Sequence, residues 1–129
     1  MTAMAVKVVD ASAIAAIVFD EPEAEEVAAQ IRCSTLIAPA LIDFELCNIC
    51  WKKCVRRPFE ADSLLDAFAE RRWISIGRAS IDFDSIARLA IATRLTAYDA
   101  SYLWLARDLG IDLITLDKRL AAVFAQVSP

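Results

Sequence analysis

Histidine is absent from this 129-residue chain. That removes the commonest general base from any chemistry the protein performs. Chain breakers are scarce, with two glycines and four prolines. Together with an apolar fraction of 58% this excludes a disordered chain. No uninterrupted apolar run approaches the ~18 residues of a membrane span. The opening residues Met1 to Lys7 lack a charged region followed by a long apolar one, so no targeting segment is expected. The expected location is cytoplasmic, away from membranes, where Cys33, Cys47, Cys50 and Cys54 stay reduced thiols. Basic excess is missing too: 14 Lys and Arg stand against 18 Asp and Glu, a net charge of -4. Any nucleic-acid reading must therefore rest on local charge.

The length predicts one domain, residues 1–129, around one core. Its apolar fraction exceeds the usual ~45–50%, leaving a surplus to cover a subunit or partner interface. Val6-Lys7-Val8-Val9 reads as a short strand ending in Asp10, and a helix-forming run, Ala13 to Phe19, follows. Further strands are predicted at 35–38, at 73–76 closed by Gly77, and at 112–115, with an edge strand added at Gln126-Val127. Helices are predicted over 23–32, 40–57, 60–71, 82–94, 97–109 and 118–124. Alternation of this kind predicts an α/β fold: a three-layer α/β/α sandwich around a central, mostly parallel sheet of four to five strands.

In a parallel sheet the strand C-termini share one edge, where open α/β folds bind ligands. Asp10 and Asp117 each end an apolar strand there. Asp99 lies in the first turn of the helix after Thr96, and Glu45 in the early turns of the helix after Pro39. Four converging carboxylates repel, and a divalent cation is the usual remedy: Mg2+ or Mn2+ takes hard oxygen ligands. Each acid alone also has an ordinary explanation. Asp10 and Asp117 suit helix N-caps, Thr96-x-x-Asp99 a capping box, and Glu45 a solvated helix face. Capping does not require four acids at one rim.

The segments Val9-Asp10-Ala11-Ser12, Pro39-x5-Glu45, Leu95-Thr96-Ala97-Tyr98-Asp99-Ala100 with Tyr102 and Leu103, and Leu113-Ile114-Thr115-x-Asp117-x-x-Leu120 together resemble the PIN domain. More narrowly the chain is similar to VapC-type toxins of toxin–antitoxin pairs, over essentially its whole length. The resemblance implies a Mg2+-dependent endoribonuclease with Asp10, Glu45, Asp99 and Asp117 as metal-binding catalytic acids. It places Ser12 and Thr115 as polar supports. It also implies an RNA substrate, a homodimer and a cognate antitoxin. Arg94 departs from the family, where glycine is often found, and so does the cysteine-rich helix that carries Glu45.

With no imidazole available, a cation lowers the pKa of a water and holds it for in-line attack on a phosphodiester. Asn48, Ile49, Lys52 and Arg56 fall within about 60° of Glu45 on its helix, a stripe suited to RNA backbone. The alternative is that Lys52, Lys53, Arg56 and Arg57 complement the helix dipole. Leu46, Cys47, Cys50, Trp51 and Cys54 on the opposite side read as packed apolar surface rather than a zinc site, since ligands are too few. Asp43, if helical, lies near that side and suggests an ion pair across an interface. Tyr102 and Trp104 read as core or dimer packing ahead of base stacking. An adhesion module would want serine where Ile14 stands, and a phosphoacceptor domain a second acid where Ala11 stands. An inactive PIN-like module that only binds RNA or an antitoxin is the remaining alternative.

Overall fold

The computed structural model describes residues 4–127. Four parallel strands form one sheet: β1 (Ala5–Val9), β2 (Ser34–Pro39), β3 (Ile76–Ala79) and β4 (Asp112–Ile114), in the order β3-β2-β1-β4. Val8 and Val9 of the central β1 are fully buried, as a strand covered on both faces requires.

Seven α-helices connect and cover the strands: α1 (Ala11–Val18), α2 (Ala24–Ile31), α3 (Ile42–Arg56), α4 (Ala61–Ala69), α5 (Phe83–Thr93), α6 (Ala97–Leu109) and α7 (Lys118–Val127). The first three crossed strands step one way, β1 to β2 to β3, with α1 to α4 between them. Right-handed crossovers put that set on one face. The chain then returns through α5 and α6 to place β4 on the other side of β1, which carries α5 and α6 to the opposite face. Contacts agree: α1 packs on α2 and α3, α3 on α4, and α5 on α6, which lies across β1, β2 and β4. The strand order therefore reverses between β1 and β4, and their carboxyl ends frame the crevice where ligands bind in such sheets.

Two expected strands differ. Trp73 stands in a 3-10 turn (Glu70–Trp73), and the third strand starts later, with Gly77 inside it opposite Ile37. An edge strand tolerates an interior glycine where a central one suffers. Gln126-Val127 completes α7 and adds no strand, so the sheet has four strands among the described residues. No helix of the described residues is long and apolar enough to cross a membrane.

Candidate active site

Asp10 is the first residue after β1 and the N-cap of α1, where its Oδ1 accepts from the Ala13 amide at 3.0 Å. The same oxygen accepts from the Ser12 hydroxyl at 2.7 Å, and Oδ2 accepts from the Thr115 hydroxyl. Ser12 Oγ in turn accepts from the Leu116 amide at 2.9 Å, and Thr115 Oγ1 from the Asp117 amide at 3.0 Å. Two short hydroxyl side chains thus lace the end of β1 to the end of β4. Asp10 is only 4% exposed. A carboxylate has roughly four acceptor sites; three are filled, and the open one is on Oδ2.

Glu45 sits in the first turn of α3 and reaches Tyr102, whose hydroxyl donates to Glu45 Oε1 at 2.5 Å. It is therefore no freely solvated helix residue. Asp99 lies in the first turn of α6, where its amide donates to the Thr96 hydroxyl at 3.1 Å. Asp117 Oδ1 accepts from the Leu120 amide at 2.9 Å and caps α7. Capping is real at Asp10, Thr96 and Asp117, and it coexists with their placement at one rim.

Electrostatics separate this group from ordinary caps. Burial pushes the Asp10 carboxyl above its usual range, against the pull of Thr115, Ser12 and the Ala13 amide; Asp99 pushes it further. Burial raises Glu45, Tyr102 opposes, and Asp99 and Asp10 add to the rise. Burial also raises Asp99, with Asp117 adding and Thr96 and Arg119 opposing. Among the described residues no Lys or Arg forms an ion pair with any of the four acids. The donor set is all hard oxygen, the kind that holds Mg2+ or Mn2+. The acids share a rim without forming a closed cage: among the described residues, no three His, Cys, Asp or Glu side chains lie close enough to enclose an ion.

The flanking helix resolves the cations of α3. Lys53 pairs with Glu21 at 3.1 Å and Arg57 with Glu60 at 3.5 Å. Lys52 and Arg56 make no ion pair among the described residues and line a groove of about 540 Å3 that also holds Ser12, Ile49 and Lys118, together with the paired Lys53 and Glu21 and with Glu23. Asn48 is exposed beside them. Asp43 forms a two-pronged pair with Arg78 of β3, at 2.5 and 3.1 Å, within the chain and partly exposed. The cysteine side of α3 is only half packed. Leu46 and Cys50 are buried, whereas Cys47 and Trp51 are exposed.

Two residues near the acids were not anticipated as site residues. Tyr102 is 1% exposed, and burial followed by the Glu45 charge pushes its hydroxyl far above the ordinary phenol range. The signal was its spacing, three after Asp99, which puts both on one helix face. Lys118 follows Asp117 and lines the groove opposite Lys52; nothing in its local sequence marks it.

Comparison with known proteins agrees with this geometry. The PIN domain family model matches residues 7–125. Ribonuclease VapC3 of Pyrobaculum aerophilum is 36% identical over 129 residues, covering 95% of this chain and 98% of the relative. The crystal structure of PAE2754 from Pyrobaculum aerophilum matches with a TM-score of 0.72 at 25% identity, over 92% of this chain and 79% of the other. A four-stranded parallel sheet with its acids at the strand-order reversal, read beside these matches, places the chain in the PIN-domain family, in its VapC-type branch.

Proposed function

We propose that this protein is a divalent-metal-dependent endoribonuclease, the toxin of a toxin–antitoxin pair, working in the cytoplasm. The observation that carries the reading is the rim itself: Asp10, Glu45 and Asp99 are desolvated, each is pushed up further by at least one other rim acid, and none has an ion-pairing Lys or Arg among the described residues. A fold that buries uncompensated acids gains from a cation that occupies them. Asp10, Glu45, Asp99 and Asp117 would hold Mg2+, with Mn2+ as a substitute. The ion, when bound, lowers the pKa of a water and screens charge on the phosphoryl oxygens. Mg2+ keeps several waters and takes few carboxylates, so an open rim suits it.

The chain's own groups do the rest. Ser12 and Thr115 fix the orientation of the Asp10 carboxylate. Tyr102 fixes Glu45. Lys52, Arg56 and Lys118 line the groove beside Ser12 and attract a phosphate backbone. VapC3 carries the name ribonuclease, and the shared family extends that activity to this chain. Exposed Trp51, Val55 and Phe59 offer apolar area for the antitoxin or a second subunit.

The open spacing of the acids favours one alternative, an inactive module that binds RNA or an antitoxin. One experiment decides. Purified protein is incubated with labelled RNA, with Mg2+, with Mn2+ and with chelator. Cleavage that needs the metal and is lost in Asp10→Asn supports the enzyme. Binding without cleavage under every metal supports the module.

A further inference from the structure

Ile49 and Lys52 of α3 line two different cavities. One is the cationic groove already described. The other, about 960 Å3, lies between the start of α3 and the first turn of α6, with Glu45 in its wall. Its character is different. Phe44 and Tyr98 line it and are 81% and 63% exposed, and Asn48 adds an amide. Neither aromatic belongs to a core cluster. Aromatic surface left in water gains nothing for folding. Here it borders the acids. Among the described residues the lining holds one cation, Lys52, beside two carboxylates, Asp43 and Glu45, so the space suits a flat, neutral group better than a second phosphate.

The geometry points to a nucleobase pocket: an unpaired base next to the phosphodiester at the acids stacks on Tyr98 and Phe44, and the Asn48 amide reads its edge. This rests on the ribonuclease reading and adds which part of the strand is recognised. Phosphates following Lys52, Arg56 and Lys118 leave the base to turn across Ile49 into the second cavity. Stacking supplies affinity for any base, because every base has a π-face. An amide offers a donor and an acceptor together, which is what discriminates base edges. Bases held inside a duplex cannot turn out in this way, so the pocket takes an unpaired base.

The test uses the whole chain and a short single-stranded RNA carrying a fluorescent purine analogue, in chelator so that binding is read without cleavage. Phe44→Ala and Tyr98→Ala should each weaken binding about tenfold and remove the stacking quench. Tyr98→Phe should restore both. Asn48→Ala should relax base preference at one position when Mg2+-dependent cutting sites are mapped. Both aromatics are exposed, so thermal melting should confirm folded variants. A wild type that cuts RNA, with variants that keep its affinity and cutting sites, overturns the pocket and leaves the ribonuclease intact. A wild type that neither binds nor cuts RNA overturns both. Loss of self-association in Phe44→Ala, with RNA affinity unchanged, assigns the aromatics to a subunit contact and also overturns the pocket.

Discussion

Asp43 and Glu45 stand two residues apart at the start of α3 and have opposite surroundings. Asp43 is partly exposed and gripped by both prongs of Arg78. Glu45 has no ion-pairing cation among the described residues, faces two other acids, and is steadied by a tyrosine. The first arrangement is how a protein keeps a surface acid. The second is unfavourable on its own and makes sense around a ligand of positive charge. Substitution separates them. Asp10→Asn or Glu45→Gln should cut metal-dependent RNA cleavage on the order of a thousandfold. Asp43→Asn, in the wall of the second cavity but away from the desolvated acids, should reduce the rate far less than Glu45→Gln and cost under about 1 kcal/mol of stability, since its pair is partly exposed. An Asp43 variant as inactive as the Glu45 variant would break the comparison.

Stability with chelator sharpens it next. Asp10, Glu45 and Asp99 have raised pKa values in the folded, metal-free chain, chiefly through burial. Between the ordinary carboxylate range and those raised values the folded state binds more protons than the unfolded one. Stability from these groups is therefore fully present below about pH 4 and is lost as pH rises through the folded values. The metal-free Tm should fall over that span, and Asp10→Asn should flatten the fall and raise Tm near neutrality. Added Mg2+ should lift the wild-type Tm more than that of the variant. Equal metal shifts in both proteins would sink the role of Asp10.

Tyr102 tests how the rim is held. Tyr102→Phe removes one hydrogen bond to a charged acceptor and keeps the packing of the ring. A bond of this kind contributes roughly 1.5–3 kcal/mol, so activity should fall about tenfold or more, with a higher Mg2+ concentration at half-maximal rate. The residue shows where the chain was legible and where it was not. Asp10, Ser12, Asp99, Thr115 and Asp117 are readable because strand ends and helix starts gather at one edge by topology. Tyr102 and Glu45 meet across 57 residues of sequence because the starts of α3 and α6, on opposite faces, converge at the carboxyl edge of the sheet, and no local pattern encodes such a contact. The same holds for Lys118, which lines the groove only because α7 lies across from α3.

The fold was read nearly whole, and its errors share one cause. Gly77 signals a break by composition, yet it lies within β3, because only β2 pairs with that edge strand. Gln126-Val127 suggests a strand by propensity, yet it continues α7, whose inward Leu120 anchors the helix. Tertiary position overrode local preference in both. On α3 the reverse happened: helical angles alone grouped Lys52 and Arg56 with Glu45, while Lys53 and the capping Arg57 prove to be paired, with Glu21 and Glu60. Neutralising Lys52 and Arg56 together should reduce the salt dependence of RNA binding by about 0.7 in log–log slope for each. Neutralising Lys53, which lines the same groove but is already paired with Glu21, should reduce it less than either. Equal effects from all three would mean general attraction rather than a track.

Arg94 offers the smallest effect and the cleanest control. It ends α5 with a left-handed backbone, φ 61 and ψ 21. A residue with a Cβ loses roughly 1–2 kcal/mol in that region, and glycine returns part of it through its greater unfolded freedom. The contact at this point uses the Arg94 carbonyl, which accepts from Arg119 at 2.7 Å and survives the substitution. Arg94→Gly should therefore stabilise the chain by about 1 kcal/mol or less, read as a modest rise in Tm, with cleavage unchanged. Asp10→Asn should also raise the metal-free Tm, but with cleavage lost. Two stabilising changes with opposite consequences would distinguish backbone strain from charge held in reserve for a ligand. If Arg94→Gly lowered activity as well, the Arg119 contact would be reaching Asp99, whose carboxyl Arg119 already pulls downward, and the rim would extend to α7.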